Sequence, residues 1–210
     1  MLKIARLFAR KRSGVVLLTL ALIVGGIIVQ VSNKNSTCAQ GGICIVGDLG
    51  PGGGRVFYVQ TATDAAPWRY LEAAPNTWSG GSADPFLTWC SNTSTYVEDL
   101  SKGTSAAITA VTIGQGLLNT KAMMRTCTFG AANSAAAYQG GGKTDWFLPS
   151  KDELAQLYIE KNAAGGFMGH HYYSSSEEDA TNVWIQSFGD GLQYGDTKVG
   201  TFFVRPVRAF

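Results

Sequence analysis

Charge is scarce in this 210-residue sequence. Asp, Glu, Lys and Arg make up 15% of it, and 17 basic residues nearly cancel 15 acidic ones. Lys3, Arg6, Arg10, Lys11 and Arg12 crowd into positions 1–13, which leaves 12 basic against 15 acidic residues elsewhere, a formal −3. A nucleic-acid-binding domain carries a basic stripe or patch. The remainder here has none, so no nucleic-acid partner is expected. Histidine is scarcer still: the chain has two, His170 and His171, and they are adjacent. Neighbours on a strand point to opposite faces, so the pair is poorly placed to share a metal ion. Both stand far from the four cysteines, none of which forms a CxxC pair, and this argues against a zinc site. Gly140-Gly141-Gly142-Lys143-Thr144 ends like a phosphate loop, but Ala137 stands where the motif needs its first glycine, so the string reads as a turn. Asp190 and Asp196 flank a glycine-containing hairpin and read as turn residues rather than calcium ligands. No nucleophile, base and orienting group stand together. The expectation is a non-enzyme with no catalytic residues, no metal and no cofactor.

Glycine is plentiful at 26 residues, and aromatics reach 11%. With so little charge, that mix predicts a loop-rich, strand-containing exported domain rather than a helical bundle. The uncharged run at residues 14–31 would extend ~27 Å as a helix, about the thickness of a bilayer core. The basic residues before it predict a single transmembrane helix with a cytoplasmic N-terminus and membrane lipid as its partner. A cleaved signal peptide is the main alternative. Its apolar core is usually shorter and ends in a small-x-small site, whereas Ser32-Asn33-Lys34-Asn35 follows here. The expected organisation is a basic tail at 1–13, an anchor at 14–31, a tether at 32–44 and an extracytoplasmic domain at 45–210, placing the chain in the cell membrane with its domain outside. An even number of cysteines in an exported chain favours disulfides. Of the three possible pairings, proximity favours Cys38–Cys44 and Cys90–Cys127.

Along the domain, the turn cluster 47–54 feeds a strand at 55–59, with a partner at 69–74. Residues 76–104 read as irregular. Helical pattern appears at 105–127, broken near Gly114 and Gly116, and again at 131–138. A further helix starts at Ser150, where Ser150 and Glu153 have the spacing of a reciprocal capping box. Short strands follow at 172–176, 182–188, 192–194 and 201–208, with Gly189-Asp190-Gly191 as a hairpin turn and Pro206 marking an edge or bulge. Arg205 and Arg208 are expected to pair with buried carboxylates such as Glu153 or Glu72.

The strings 47–58, Trp146-Phe147-Leu148-Pro149-Ser150-Lys151-Asp152-Glu153-Leu154, Tyr173-Ser174-Ser175-Ser176-Glu177, Trp184-Ile185-Gln186-Ser187-Phe188 and Val204-Arg205-Pro206-Val207-Arg208 occur together and in this order. The combination resembles the bacterial domains similar to the C-terminal domain of collagen-like adhesins, the Lcl C-terminal family, over residues 45–210. The resemblance implies an α+β, C-type-lectin-like domain of the formylglycine-generating-enzyme type, with short twisted antiparallel sheets, two helices and long loops. It also implies a surface or exported module; some related lectin-like domains are diversified near the C-terminus. Calcium-dependent sugar motifs of that fold are not matched, the nearest strings being Ala74-Pro75-Asn76 and Asn182-Val183-Trp184. The expected function is a membrane-anchored, surface-displayed binding module, an adhesin or diversified receptor, for an extracellular protein or glycan. Its contacts are expected on the C-terminal strand-loop face at Tyr172, Tyr173, Trp184, Gln186, Tyr194 and Lys198, since aromatic rings supply contact area at low entropic cost. The alternative is a homo-oligomeric structural subunit of an envelope or surface-appendage assembly.

Overall fold

The computed structural model describes residues 23–24, 27–28, 36–61, 66–97 and 110–210. The chain divides into two units, 1–35 and 36–210. In the first, β1 (Ile23–Val24) and β2 (Ile27–Ile28) pair antiparallel, Ile23 opposite Ile28 and Val24 opposite Ile27. These four residues are extended. The basic tail and the rest of the expected anchor lie outside the described residues. Among the described residues no helix is long and apolar enough to cross a membrane.

The second unit is an α+β domain with two sheets. In the smaller, β4 (Tyr70–Ala73) lies between β3 (Arg55–Val59) and β10 (Val207–Ala209), antiparallel to both. The larger has the order β5 (Phe86–Thr88), β9 (Thr201–Phe203), β6 (His171–Glu177), β7 (Asn182–Ser187), β8 (Gln193–Thr197). It is mixed rather than purely antiparallel, because β6 and β9 run parallel where Tyr172 meets Phe203. Strand β5 falls within the stretch expected to be irregular; three residues are too few to show a period of two.

Four α-helices occur among the described residues, not two: α1 (Gly116–Thr126), α2 (Ala131–Ala137), α3 (Lys151–Ile159) and α4 (Lys161–Ala164). Residues 127–130 part the first two, where Gly130 adopts φ 139° and its missing Cβ lets the backbone lie against Trp89 and Cys90. Glu160, at φ −98° and ψ 19°, parts the last two. The start of α3 is set by its cap: the Glu153 N–H donates to Ser150 Oγ (3.3 Å) and the Ser150 N–H to Glu153 Oε2 (2.8 Å). Gly140–Gly142 forms a short 3-10 turn.

The larger sheet is buried on both faces. Tyr173, Val183 and Ile185 pack with Trp89, Met123 and Leu148 on one side. Tyr172 and Phe203 pack with Phe57, Phe147, Leu154 and Leu157 on the other. Alternation along β6 therefore sends two successive tyrosines into two different cores. Disulfides link Cys38 to Cys44 and Cys90 to Cys127. The first belongs to the compact unit, where both cysteines pack with Val56 and Tyr70. Arg208 pairs with Glu72 (2.8 Å) and with Asp145. Arg205 pairs instead with Asp84, and Glu153 meets neither arginine. A helix-start carboxylate is already held by backbone N–H groups, here those of Ser150 and Gly114, and so has no need of a cation.

Candidate functional site

The register of the larger sheet decides which C-terminal aromatics are open. His171 lies opposite Ser187 and Tyr173 opposite Ile185, while Ile185 faces Tyr194 across the next ladder. His171, Tyr173, Ile185 and Tyr194 thus share one face. Tyr173 and Ile185 are covered; His171 is half-buried and Tyr194 is 38% exposed. The Tyr194 Oη and His171 Nε2 stand 2.6 Å apart, with the rings edge to face at 5.6 Å. Phe202 meets the His171 ring at 5.7 Å and the Tyr173 ring at 5.0 Å, both edge to face. Leu87 lies opposite Phe202 and is also half-buried. Leu87, Phe202, His171 and Tyr194 form a half-open strip across the sheet.

Two carboxylates border it. A hydrogen bond from the Ser187 hydroxyl, with another from the Leu192 N–H, holds the Asp190 carboxyl below its usual range, and His171 adds to the effect. Burial raises the Tyr194 phenol, and the negative charges of Asp196 and Asp190 raise it further. The strip therefore offers a phenol, an imidazole and a phenyl ring beside carboxyl groups. That combination stacks on flat or apolar ligand surfaces and hydrogen-bonds to polar groups at their edge.

Trp184 faces the other way. It lies opposite Gly195 and is half-buried, with Lys151 Nζ 4.2 Å from its ring centre, a cation–π contact. The remaining four expected contacts are interior. Tyr172 is fully buried; its hydroxyl donates to Asp84 Oδ2 (2.8 Å) and accepts from the Met168 N–H (3.1 Å). Tyr173 is fully buried and donates to the Gly200 carbonyl (2.8 Å). Burial raises both phenols well above the usual range. Gln186 is buried opposite Tyr172 and donates to the carbonyls of Ser187 and Leu192.

Lys198 is fully buried as well. Its ammonium pairs with Glu177, donates to the carbonyls of Thr95 (3.1 Å) and Ala180 (2.8 Å), and faces the Trp89 ring at 5.0 Å. Burial raises the Glu177 carboxyl, against bonds from Lys198 and the Val97 N–H. The six expected contacts thus do not converge on one surface: Tyr194 belongs to the strip, Trp184 lies on the opposite face, and the others are inside. His171 and Phe202 were the members missed. The available signal was pairing register, since His171 opens β6 rather than lying in the loop before it. Among the described residues no three His, Cys, Asp or Glu side chains gather as ligands for a metal ion.

A family model described as the Lcl C-terminal domain matches residues 83–208, more than half of the chain. The match includes the whole larger sheet and the four described helices, and omits β3 and β4 of the smaller sheet. The chain matches no curated protein.

Proposed function

Because the chain belongs to the Lcl C-terminal domain family, we propose that it is a surface-displayed binding module that holds an extracellular protein or glycan against the strip of Tyr194, His171 and Phe202. The observation that carries this reading is the Tyr194–His171 pair, two rings held in fixed geometry by a paired sheet yet left half open. Rings already ordered lose little entropy on binding, so more of the contact energy appears as affinity. Display at the cell membrane rests on the uncharged run 14–31 behind five basic residues, and two disulfides suit an oxidising compartment. A C-type-lectin-like architecture belongs to the same proposal, supported by two small sheets joined through long loops. The role is recognition rather than catalysis.

The test uses the full chain on glycan arrays and arrays of extracellular proteins. Hits should weaken at least about tenfold with Tyr194→Ala, roughly one strong aromatic contact, and persist with Trp184→Ala on the opposite face. Equal binding by wild type and Tyr194→Ala would remove the strip from the function.

A further inference from the structure

Residues 43–49 present four branched aliphatic side chains to solvent: Ile43 (86% exposed), Ile45 (67%), Val46 (37%) and Leu49 (48%). The stretch is held firmly. The Cys38–Cys44 disulfide closes one end, and an antiparallel bridge between Leu49 and Arg55 closes the other. Between them four backbone N–H groups are occupied. The Cys44 N–H donates to Tyr70 Oη (3.2 Å) and the Ile45 N–H to Asp48 Oδ2 (3.0 Å). The Gly47 N–H donates to the Val56 carbonyl (2.8 Å) and the Asp48 N–H to the Ile45 carbonyl (3.1 Å). Arg55, exposed at the rim, donates from Nη1 to the Gly47 carbonyl (3.1 Å).

We infer that this loop is a membrane-contacting edge, whose aliphatic side chains enter the interfacial zone of the bilayer that carries the anchor. The inference rests on the membrane-display reading above. Residues 32–42 separate the end of the uncharged run from Ile43, a reach of at most ~40 Å even when fully extended. Its chemistry suits lipid. Protein hot spots favour Trp, Tyr and Arg over Leu and Val, and the exposed apolar side chains here are all aliphatic. Backbone groups left unpaired in an apolar phase cost several kcal/mol each, and the N–H groups of Cys44, Ile45, Gly47 and Asp48 are already bonded within the domain. Arg55 at the rim suits anionic headgroups, and Asp48 is turned to its own loop's N–H.

The experiment places the full chain in vesicles of phosphatidylcholine and phosphatidylglycerol, with and without brominated acyl chains. Ile45→Trp is compared with Val199→Trp, a substitution at an exposed turn between β8 and β9. The wild-type signal is subtracted from each. Brominated lipid should quench the Ile45→Trp signal at least about twofold more than the control, as expected for side chains within 5–10 Å of the acyl boundary. Hydrogen exchange in wild type should also slow at 43–49 on moving from detergent to vesicles. A chain that fails to float with the vesicles overturns both the membrane-display reading and this inference. A chain that floats with equal quenching at the two positions overturns this inference alone. Self-association abolished by Ile45→Ser, without selective quenching, would assign the loop to a second copy of the chain and overturn the lipid contact.

Discussion

Arg205 grips Asp84 through two parallel hydrogen bonds, Nε to Oδ1 and Nη2 to Oδ2, each 2.6 Å long and both inside the domain with no exposed side-chain surface. Its other donors reach the carbonyls of Ala74 (3.1 Å), Gly165 (3.1 Å) and Gly166 (2.9 Å). All five guanidinium N–H groups are thereby used. One side chain ties the residue after β4, the residues after α4 and the segment before β5. Asp84 in turn holds Tyr172 and shares the Trp78 indole N–H with the Val204 carbonyl.

Breaking that pair from either side leaves an uncompensated buried charge. Arg205→Ala and Asp84→Ala are each expected to lose about 3–5 kcal/mol of unfolding free energy, measured by urea denaturation. Arg205→Lys should lose a large part of it too, because an ammonium cannot reproduce the planar fork. Wild-type stability in Arg205→Lys would show that charge, rather than fork geometry, holds the junction.

Stability should fall as pH rises through the acidic range because of Glu153. Burial raises its carboxyl from the ordinary 4.5 to about 7, against hydrogen bonds from Ser150, Gly114 and Gly116. Between those values the native state keeps a proton that the unfolded state has released, so stability declines with increasing pH. The contribution is complete below pH 4.5, is lost as pH passes 7, and amounts to roughly 3 kcal/mol. Glu153→Gln should flatten this part of the Tm-against-pH profile while costing ~1 kcal/mol for one lost backbone hydrogen bond. An unchanged slope would assign the dependence to another group.

The two disulfides should contribute unequally. Cys90–Cys127 joins residues 37 apart, and Cys38–Cys44 residues 6 apart. By chain entropy the first is worth about 4 kcal/mol and the second about 2. Denaturation of Cys90→Ala/Cys127→Ala and Cys38→Ala/Cys44→Ala double variants measures the order, and a larger loss in the second pair would reverse it.

Neighbouring glycines should respond differently to alanine. The N–H groups of Gly52 and Gly54 donate to the buried Glu72 carboxylate, and a Cβ on Gly54 would lie 2.4 Å from the Ala73 carbonyl oxygen. Gly53 meets nothing within 4 Å but sits at φ +80°. Gly54→Ala should cost about 3 kcal/mol through overpacking, and Gly53→Ala about 1 kcal/mol through its left-handed backbone. Equal losses in urea would discount the close approach.

Local chemistry was legible where it acts over a few residues. Ser150 and Glu153 announced a helix start, and the structure has both bonds of that cap. Residues 55–59 and 69–74 read as paired strands, as β3 and β4 are. Glu72 was one of two carboxylates offered to Arg205 and Arg208, and Arg208 takes it. Asp84, the partner of Arg205, was not among them, because no local pattern marks it as a buried carboxylate. Lys198 read as a surface cation, yet a carboxylate, two carbonyls and a ring satisfy it inside. Only long-range packing could bring those partners together.

The sequence by itself determined a glycine-rich α+β domain with a capped helix, C-terminal strands and cysteines suited to disulfides, because turns, caps and strand propensity act over a few residues. Tertiary structure decided which side of each strand meets solvent. Tyr172 and Tyr173 entered two cores because helices and loops cover both faces of the larger sheet, while cross-strand register left Tyr194, His171 and Phe202 half open. Alternation specifies that neighbours diverge; only the packing of the other elements specifies which of them remains available to a partner.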